Sequence, residues 1–257
     1  MDEGRREEFA RALLRAHAGG SPAPPPAASG ESVSEVDAYA VQRELVRHWE
    51  RQGATVRGWK IAAGPEGGPA YGHLMSTVFH PESRPVQAGG YLAPQVAPGI
   101  AFVLGRPLQG PGLNVADVSS AIAHALPALE IRDSRLEDGE GRRPEDEIAD
   151  NASAGGLVLG SRQVPLTAFQ PRLEGCVLYQ GGRIAATGAG AAVHGSPLNA
   201  VTWLANALGD AGTALPAGSV VFSGPLTPAV RAGGGQTVTA AFTRLGVVTV
   251  HLAGPRA

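Results

Sequence analysis

Two polar clusters abut apolar runs between Pro127 and Gly160. In the first, PALEIRDSR, Glu130 interrupts the run Leu126, Ala128, Leu129, Ile131, and Arg132, Asp133, Ser134 and Arg135 follow at once. In the second, IADNASAGGLVLG, Asp150, Asn151 and Ser153 precede glycines and the run Leu157-Val158-Leu159. An unpaired carboxylate in a buried strand is costly, so Glu130 calls for a cation nearby. The stretch is either the floor of a pocket or a surface hairpin carrying a salt bridge. Lys60 raises the same question in the apolar run Trp59-Lys60-Ile61. Desolvation lowers the pKa of an amine there and makes it a proton shuttle or a carboxylate anchor. The plainer alternative is a lysine snorkelling from a strand end.

Other side chains fit supporting roles. Glu130 can act as a general base or simply pair with Lys60 or Arg135. Asn151 and Ser153 can hydrogen-bond a substrate carboxylate or carbonyl, although both types also build turns. His73 is the one histidine of the loop GPEGGPAYGHL and is either solvated or a titrating group at the site. Thr227 and Ser223, in FSGPLTPA, border a pocket or shape a turn around Pro225 and Pro228. His194 precedes a helix cap and reads as structural.

The elements that must position these groups follow from periodicity. Residues 3–18 form an amphipathic helix ended by Gly19-Gly20, and SPAPPPAASG is a stiff linker. A second helix starts near Ser34, with Ser34-x-x-Asp37 as its cap, and stops at Gly53. ATVRGWKIAAG is a strand leading into a glycine- and proline-rich loop. GIAFVLGRPL (99–108) is a second strand, and Val115 to His124 a short helix capped by Asn114. Gly181-Gly182 is a hairpin turn, and Ser196-Pro197 opens a helix that Gly209 closes. SVVFSG, TVTAAFT and GVVTVHL are short strands. GAGAAVHG lacks the strand–turn–helix register of a dinucleotide motif and is read as a turn. The pattern predicts an α+β fold on a curved or rolled mixed sheet, with residues 1–53 as an N-terminal helical region and 54–257 as one continuous catalytic domain.

Composition narrows the class. A net charge of −2 without a basic stripe gives no reason to expect nucleic acid. One cysteine, Cys176, leaves no disulfide framework and no cysteine zinc site, and it reads as a small buried hydrophobe. No apolar run is long enough for a bilayer and the N-terminus lacks a signal-peptide core, so a cytoplasmic location is expected.

LEIRDS, ADNASAG, TGAGAAVHGSPLNAVTWLAN and SGPLTPA resemble the 2-keto-4-pentenoate hydratase and 4-oxalocrotonate decarboxylase family of the fumarylacetoacetate hydrolase superfamily. The likeness also takes in DAYAVQ and GWKIAAG. It implies a homo-oligomeric enzyme that acts on a small 2-oxo or 2-hydroxydienoic acid. It further implies Mg²⁺ or Mn²⁺ held by three carboxylates, two from an E-x-E pair before IAFVLG and the third the glutamate of PALEI, Glu130. The lysine of the segment matching Lys60 assists proton transfer. Hard oxygen ligands suit such a dication, and a Lewis acid on the 2-oxo oxygen makes the conjugated chain an electron sink.

Here the segment reads QVAPGIAFVLG, so the E-x-E positions fall on Ala97 and Gly99. One carboxylate is a poor dication site in competition with water. The expectation is therefore a hydratase/decarboxylase-type lyase or isomerase without the family's metal, with Lys60 and Glu130 catalytic and His73, Arg135, Asn151, Ser153 and Thr227 binding substrate. Two other readings stay open: a cofactor-free cyclase for a larger apolar substrate, and a non-catalytic subunit of an active homologue.

Overall fold

The computed structural model describes residues 1–30, 32–138 and 142–254. Gly139, Glu140 and Gly141, in the charged stretch between Arg135 and Ile148, therefore lie outside the described residues.

Helix α1 (Glu3–His17) and helix α2 (Glu35–Arg51) open the chain, capped by Asp2 and Ser34. Asp37 staples them together. It takes the Met1 amino group at 2.9 Å and Arg6 at 3.1 Å, and the hydrogen bond from the terminal amine pulls its pKa down to about 2. The chain then gives β1 (Val56–Ala63), β2 (Pro69–Met75), β3 (Phe79–Pro81), β4 (Val86–Gln87) and β5 (Gln95–Leu104). Helix α3 (Val115–Ala121), where Asn114 accepts from the Ala116 and Asp117 amides and Asp117 accepts from the Asn114 amide, leads directly into β6 (Ile122–Arg132). Helix α4 (Pro144–Ala149) and β7 (Ala154–Leu159) follow. The hairpin β8 (Gly175–Gln180) and β9 (Arg183–Ala189), helix α5 (Pro197–Asp210), and strands β10 (Val220–Pro225), β11 (Val230–Arg231), β12 (Thr237–Phe242) and β13 (Gly246–Ala253) complete it.

Among the described residues the strands form two sheets. The larger runs β2-β1-β10-β5-β6-β7-β3, with β11 also on β5, and the smaller runs β4-β13-β12-β8-β9. Parallel pairs (β1 with β10, β3 with β7, β4 with β13) sit among antiparallel ones. This is the mixed α+β architecture expected from the sequence. Strands β5 and β6 are buried for nearly their whole length, which is why they read as near-continuous apolar runs. One apolar core joins residues such as Phe102, Leu129 and Val158 of the larger sheet to Leu178, Val238 and Val248 of the smaller. A second core beneath α1 and α2 also contains Ala70, Leu136, Ile148 and Ala149, so the N-terminal helices pack on the elements that carry the polar clusters.

Two expectations need correction. GPEGGPAYGHL is a loop only in its first half, because Pro69–Met75 pairs with all of β1 as β2. Gly72 permits this, since a Cβ there would strike the Asn151 carbonyl. The short helix ends at Ala121 rather than His124, because Ile122 onward pairs with β5.

Candidate active site

Lys60 on β1 and Glu130 on β6 are separated in the sheet by β10 and β5. In a flat sheet three strand spacings of about 4.8 Å each would hold them about 14 Å apart. The curl of the sheet removes that gap, and Lys60 Nζ forms an ion pair with Glu130 Oε1. Nζ also donates to the Ala152 carbonyl at 2.7 Å. The two side chains are buried to 1% and 3% exposure, yet both reach the wall of a cavity of about 500 Å³. Burial, then the positive charge of Arg132, pushes the Lys60 pKa well below that of an ordinary lysine. Glu130 Oε2 is buried with no protein partner among the described residues, so one carboxylate oxygen is left for a ligand or water.

Ala152 presents its carbonyl from an unusual turn. Asn151, Ala152 and Ser153 have φ of 51°, 52° and 56°, three successive non-glycine residues in the left-handed region. Such conformations cost about 1–2 kcal/mol per residue and persist only where neighbours hold them. The neighbour is β2. Asn151 Oδ1 accepts from the His73 amide at 2.6 Å, and Asn151 Nδ2 donates to the His73 carbonyl at 2.9 Å. Asn151 thus clamps the turn and is spent on the backbone rather than aimed at the cavity.

The remaining candidates divide by position. His73 is not on the wall of the Lys60 cavity. Its Nδ1 lies 2.9 Å from Gln42 Oε1, and Gln42 Nε2 donates to the carbonyls of Tyr71 (3.0 Å) and Ile148 (2.7 Å). Gln42, fully buried on α2, therefore ties β2 to α4, a role its sequence setting did not disclose. Arg135 does not pair with Glu130. It is buried against the Asp133 and Ala154 carbonyls and lies 3.8 Å from Asp133 Oδ2. Thr227 turns its hydroxyl to the Pro228 carbonyl at 2.9 Å, away from the cavity, while Pro225 does line it. Ser153 faces a second cavity of about 240 Å³, and its buried hydroxyl has no partner among the described residues. Cys176 is buried as expected, which raises its pKa to about 12.

Burial holds the His73 pKa down to about 4. The unfolded chain binds that proton from about pH 6.5 downward while the folded chain refuses it, so stability is full above pH 6.5 and falls as pH drops toward 4. The loss is up to about 3 kcal/mol, less what the partly exposed ring recovers from solvent. Urea melts at pH 7.5 and 4.5 should show a smaller acid loss for His73→Gln than for the parent chain.

The cavity brings in charged residues, Arg142, Arg143 and Glu147, that the sequence pattern did not single out. Its lining includes Arg132, Arg142, Arg143 and Glu147 beside Lys60 and Glu130, with Ile61, Ala62, Ala63 and Pro144 as apolar wall. Glu147 lies between two guanidiniums, 2.9 Å from Arg132 and 3.2 Å from Arg142. The lining carries four cations against two carboxylates, a field that attracts anions.

The donor set does not fit a hard dication, which needs several oxygen ligands. Ala97 lies directly opposite Glu130 in the β5–β6 pairing and offers no donor. At Gly99 the space for any side chain is filled by the Phe222 ring and by the Gly224 carbonyl, 2.6 Å from a Cβ placed there. Among the described residues no three His, Cys, Asp or Glu side chains are grouped to hold a metal ion, and no helix is long and apolar enough to cross a membrane.

No model of a protein family matches the chain. Curated relatives do. It is 34% identical over 226 residues to 2-oxo-hept-4-ene-1,7-dioate hydratase of Escherichia coli, covering 83% of this chain and 85% of the relative. It is 43% identical over 185 residues to the TodF product hydratase of Pseudomonas putida (72% and 69%), and 34% identical over 224 residues to 4-oxalocrotonate decarboxylase of Pseudomonas putida (84% and 84%). Among solved structures, 4-oxalocrotonate decarboxylase from Pseudomonas putida G7, complexed with magnesium and adipate, superposes with a TM-score of 0.92 over 98% of both chains at 30% identity. A fumarylacetoacetate hydrolase family protein from Yersinia pestis shares the fold, with a TM-score of 0.60 at 16% identity over 77% of this chain and 93% of that one. By these relatives and by the sheet that brings Lys60 to Glu130, the chain belongs to the 2-keto-4-pentenoate hydratase and 4-oxalocrotonate decarboxylase family of lyase-type enzymes.

Proposed function

We propose that this chain catalyses a hydratase- or decarboxylase-type lyase reaction, or the related isomerisation, on a short 2-oxo acid or its enol, without the divalent metal of its relatives. The observation that carries the reading is the buried Lys60–Glu130 pair at the wall of a cation-rich cavity. Each of these reactions passes through an enol or dienol and ends with a proton delivered to carbon: decarboxylation forms the enol by releasing CO₂, hydration draws proton and hydroxide from water, and isomerisation takes the proton from another carbon. A lysine whose pKa is lowered by burial gives up its proton more readily than an ordinary lysine, and the carboxylate beside it can take and return one. The Ala152 carbonyl fixes Nζ in place, so the proton moves between groups already aligned. Fixed guanidiniums facing the cavity stabilise negative charge as it develops on an enolate oxygen.

The charged lining weighs against a larger apolar substrate, since desolvating four cations to seat a hydrocarbon returns nothing for the cost. The test is metal dependence with a 2-hydroxydienoate or a 2-oxo-4-enoate as substrate. Turnover should survive treatment with EDTA and stay unchanged on addition of Mg²⁺ or Mn²⁺. Loss of turnover on chelation, restored by the dication, would show that the metal chemistry of the relatives is retained.

A further inference from the structure

The reaction above uses the cavity guanidiniums only as a source of positive charge and leaves the pairing of Arg132 and Arg142 with Glu147 unexplained. Glu130 and Arg132 are two residues apart on β6, so their side chains leave the same face about 6.6 Å apart. Arg142 approaches from the start of the segment leading into α4, and Glu147 from α4 itself. Each oxygen of the Glu147 carboxylate takes one guanidinium, Oε2 from Arg132 at 2.9 Å and Oε1 from Arg142 at 3.2 Å. All three residues line both the Lys60 cavity and the smaller one that holds Ser153, so the carboxylate stands where the two meet. Arg142 Nε is buried with no partner among the described residues. Its terminal nitrogens also reach Ser134 Oγ at 2.5 Å and the exposed Asp138 at 3.3 Å. The Glu147 side chain is 31% exposed, so it can return to water without moving α4.

We propose that Arg132 and Arg142 form a fork for the carboxylate of the substrate, and that Glu147 is an internal carboxylate occupying it, displaced when an anionic ligand binds. The inference rests on the reading of the Lys60 cavity as a 2-oxo acid site. Two guanidiniums already spaced to satisfy the two oxygens of one carboxylate match a ligand carboxylate in the same way. A carboxylate seated there lays its carbon chain along β6 toward Glu130 and Lys60, the distance of a short acid's chain. The fork thereby takes over the anchoring that a dication gives, with donors this chain does possess. Glu147 competes with the ligand and sets its affinity, because the binding-competent fork is only partly populated while the resident carboxylate holds it.

The experiment is calorimetric titration with 2-oxopentanoate, and with inorganic phosphate as a comparison anion, on the full chain. Glu147→Gln removes the competing charge and should tighten 2-oxopentanoate about three- to tenfold, the yield expected from a partly exposed ion pair. Arg132→Met should weaken it by about tenfold or more, as loss of a charge-assisted hydrogen bond does. Phosphate, an anion that paired guanidiniums also hold, should follow the same order. Glu147→Asp, too short to bridge both arginines, should behave like Glu147→Gln and covers the case in which the glutamine variant folds poorly. Unchanged or weaker binding by both Glu147 variants would overturn the competing role. Equal binding by the Arg132 variant would overturn the fork while leaving the 2-oxo acid reading intact. If no variant and not the parent chain binds the 2-oxo acid, the inference falls together with the reading beneath it.

Discussion

Lys60→Met should destabilise the fold by about 3–5 kcal/mol and lower turnover by about 10²–10⁴-fold. The first effect follows from what remains: Glu130, buried beneath the sheet, loses the cation that neutralises it, and an orphaned buried charge costs about that much. The cost is one of mismatch rather than of lost attraction, so a second change should repair it. Lys60→Met combined with Glu130→Gln removes both charges and should be more stable than the lysine variant alone, a non-additivity that chemical denaturation measures directly. The single variant should also regain stability as the solution is acidified, because Glu130 then protonates. Lys60→Arg separates folding from chemistry. It keeps a charge for Glu130 but cannot give up a proton, so it should fold and still lose the 10²–10⁴-fold that general acid–base catalysis contributes, on the order of the Lys60→Met loss. An arginine variant with near-parental turnover would reduce Lys60 to a structural cation.

What was legible in the sequence was the conflict between charge and burial. Lys60 and Glu130 interrupt apolar runs, and burial of both makes each the other's only economical partner. The chain has 21 lysines and arginines, and Lys60 is the single lysine among them. That bias sharpens the reading, since a purely electrostatic role could be filled by arginine. The roles of Asn151 and His73 were not legible because they depend on pairing across 78 residues, between a left-handed turn and a strand disguised by its glycines and prolines. Thr227 and Arg135 were placed near the site by motif, but a short side chain can bond to its own turn and a long one to local carbonyls, and only coordinates distinguish these. Glu147 and Arg142 escaped notice for the opposite reason. A dense charged insert looks like a solvated surface, and nothing in its spacing shows that α4 folds one glutamate back between two arginines.

Restoring a carboxylate at position 99 should fail in this chain for a steric reason. A Cβ at Gly99 lies 2.6 Å from the Gly224 carbonyl and strikes the Phe222 ring, so even Gly99→Ala must displace β10 or force Phe222 off its rotamer. Overpacking of this kind costs about 1–3 kcal/mol where only side chains move, and more where a backbone carbonyl must yield as well. Gly99→Ala should therefore lower stability by about 3 kcal/mol, and Gly99→Glu further, since its carboxylate would enter the apolar region around Phe222. Phe222→Leu should recover part of the Gly99→Ala loss by freeing the ring's volume, while the Gly224 contact keeps recovery incomplete. Ala97→Glu meets a different obstacle, because it sets a second carboxylate directly opposite Glu130, whose partner Lys60 is already engaged. The combination Ala97→Glu, Gly99→Glu, Phe222→Leu should be the least stable of the set in EDTA. If that triple variant is instead strongly stabilised by Mg²⁺ in thermal melts, β5 and β10 can adjust to a three-carboxylate site and the packing at Gly99 is no barrier to the metal. If Mg²⁺ leaves its melting temperature where it was, Phe222 and the Gly224 carbonyl have taken the place such a site needs, and the cavity must draw its positive charge from Lys60 and the arginines.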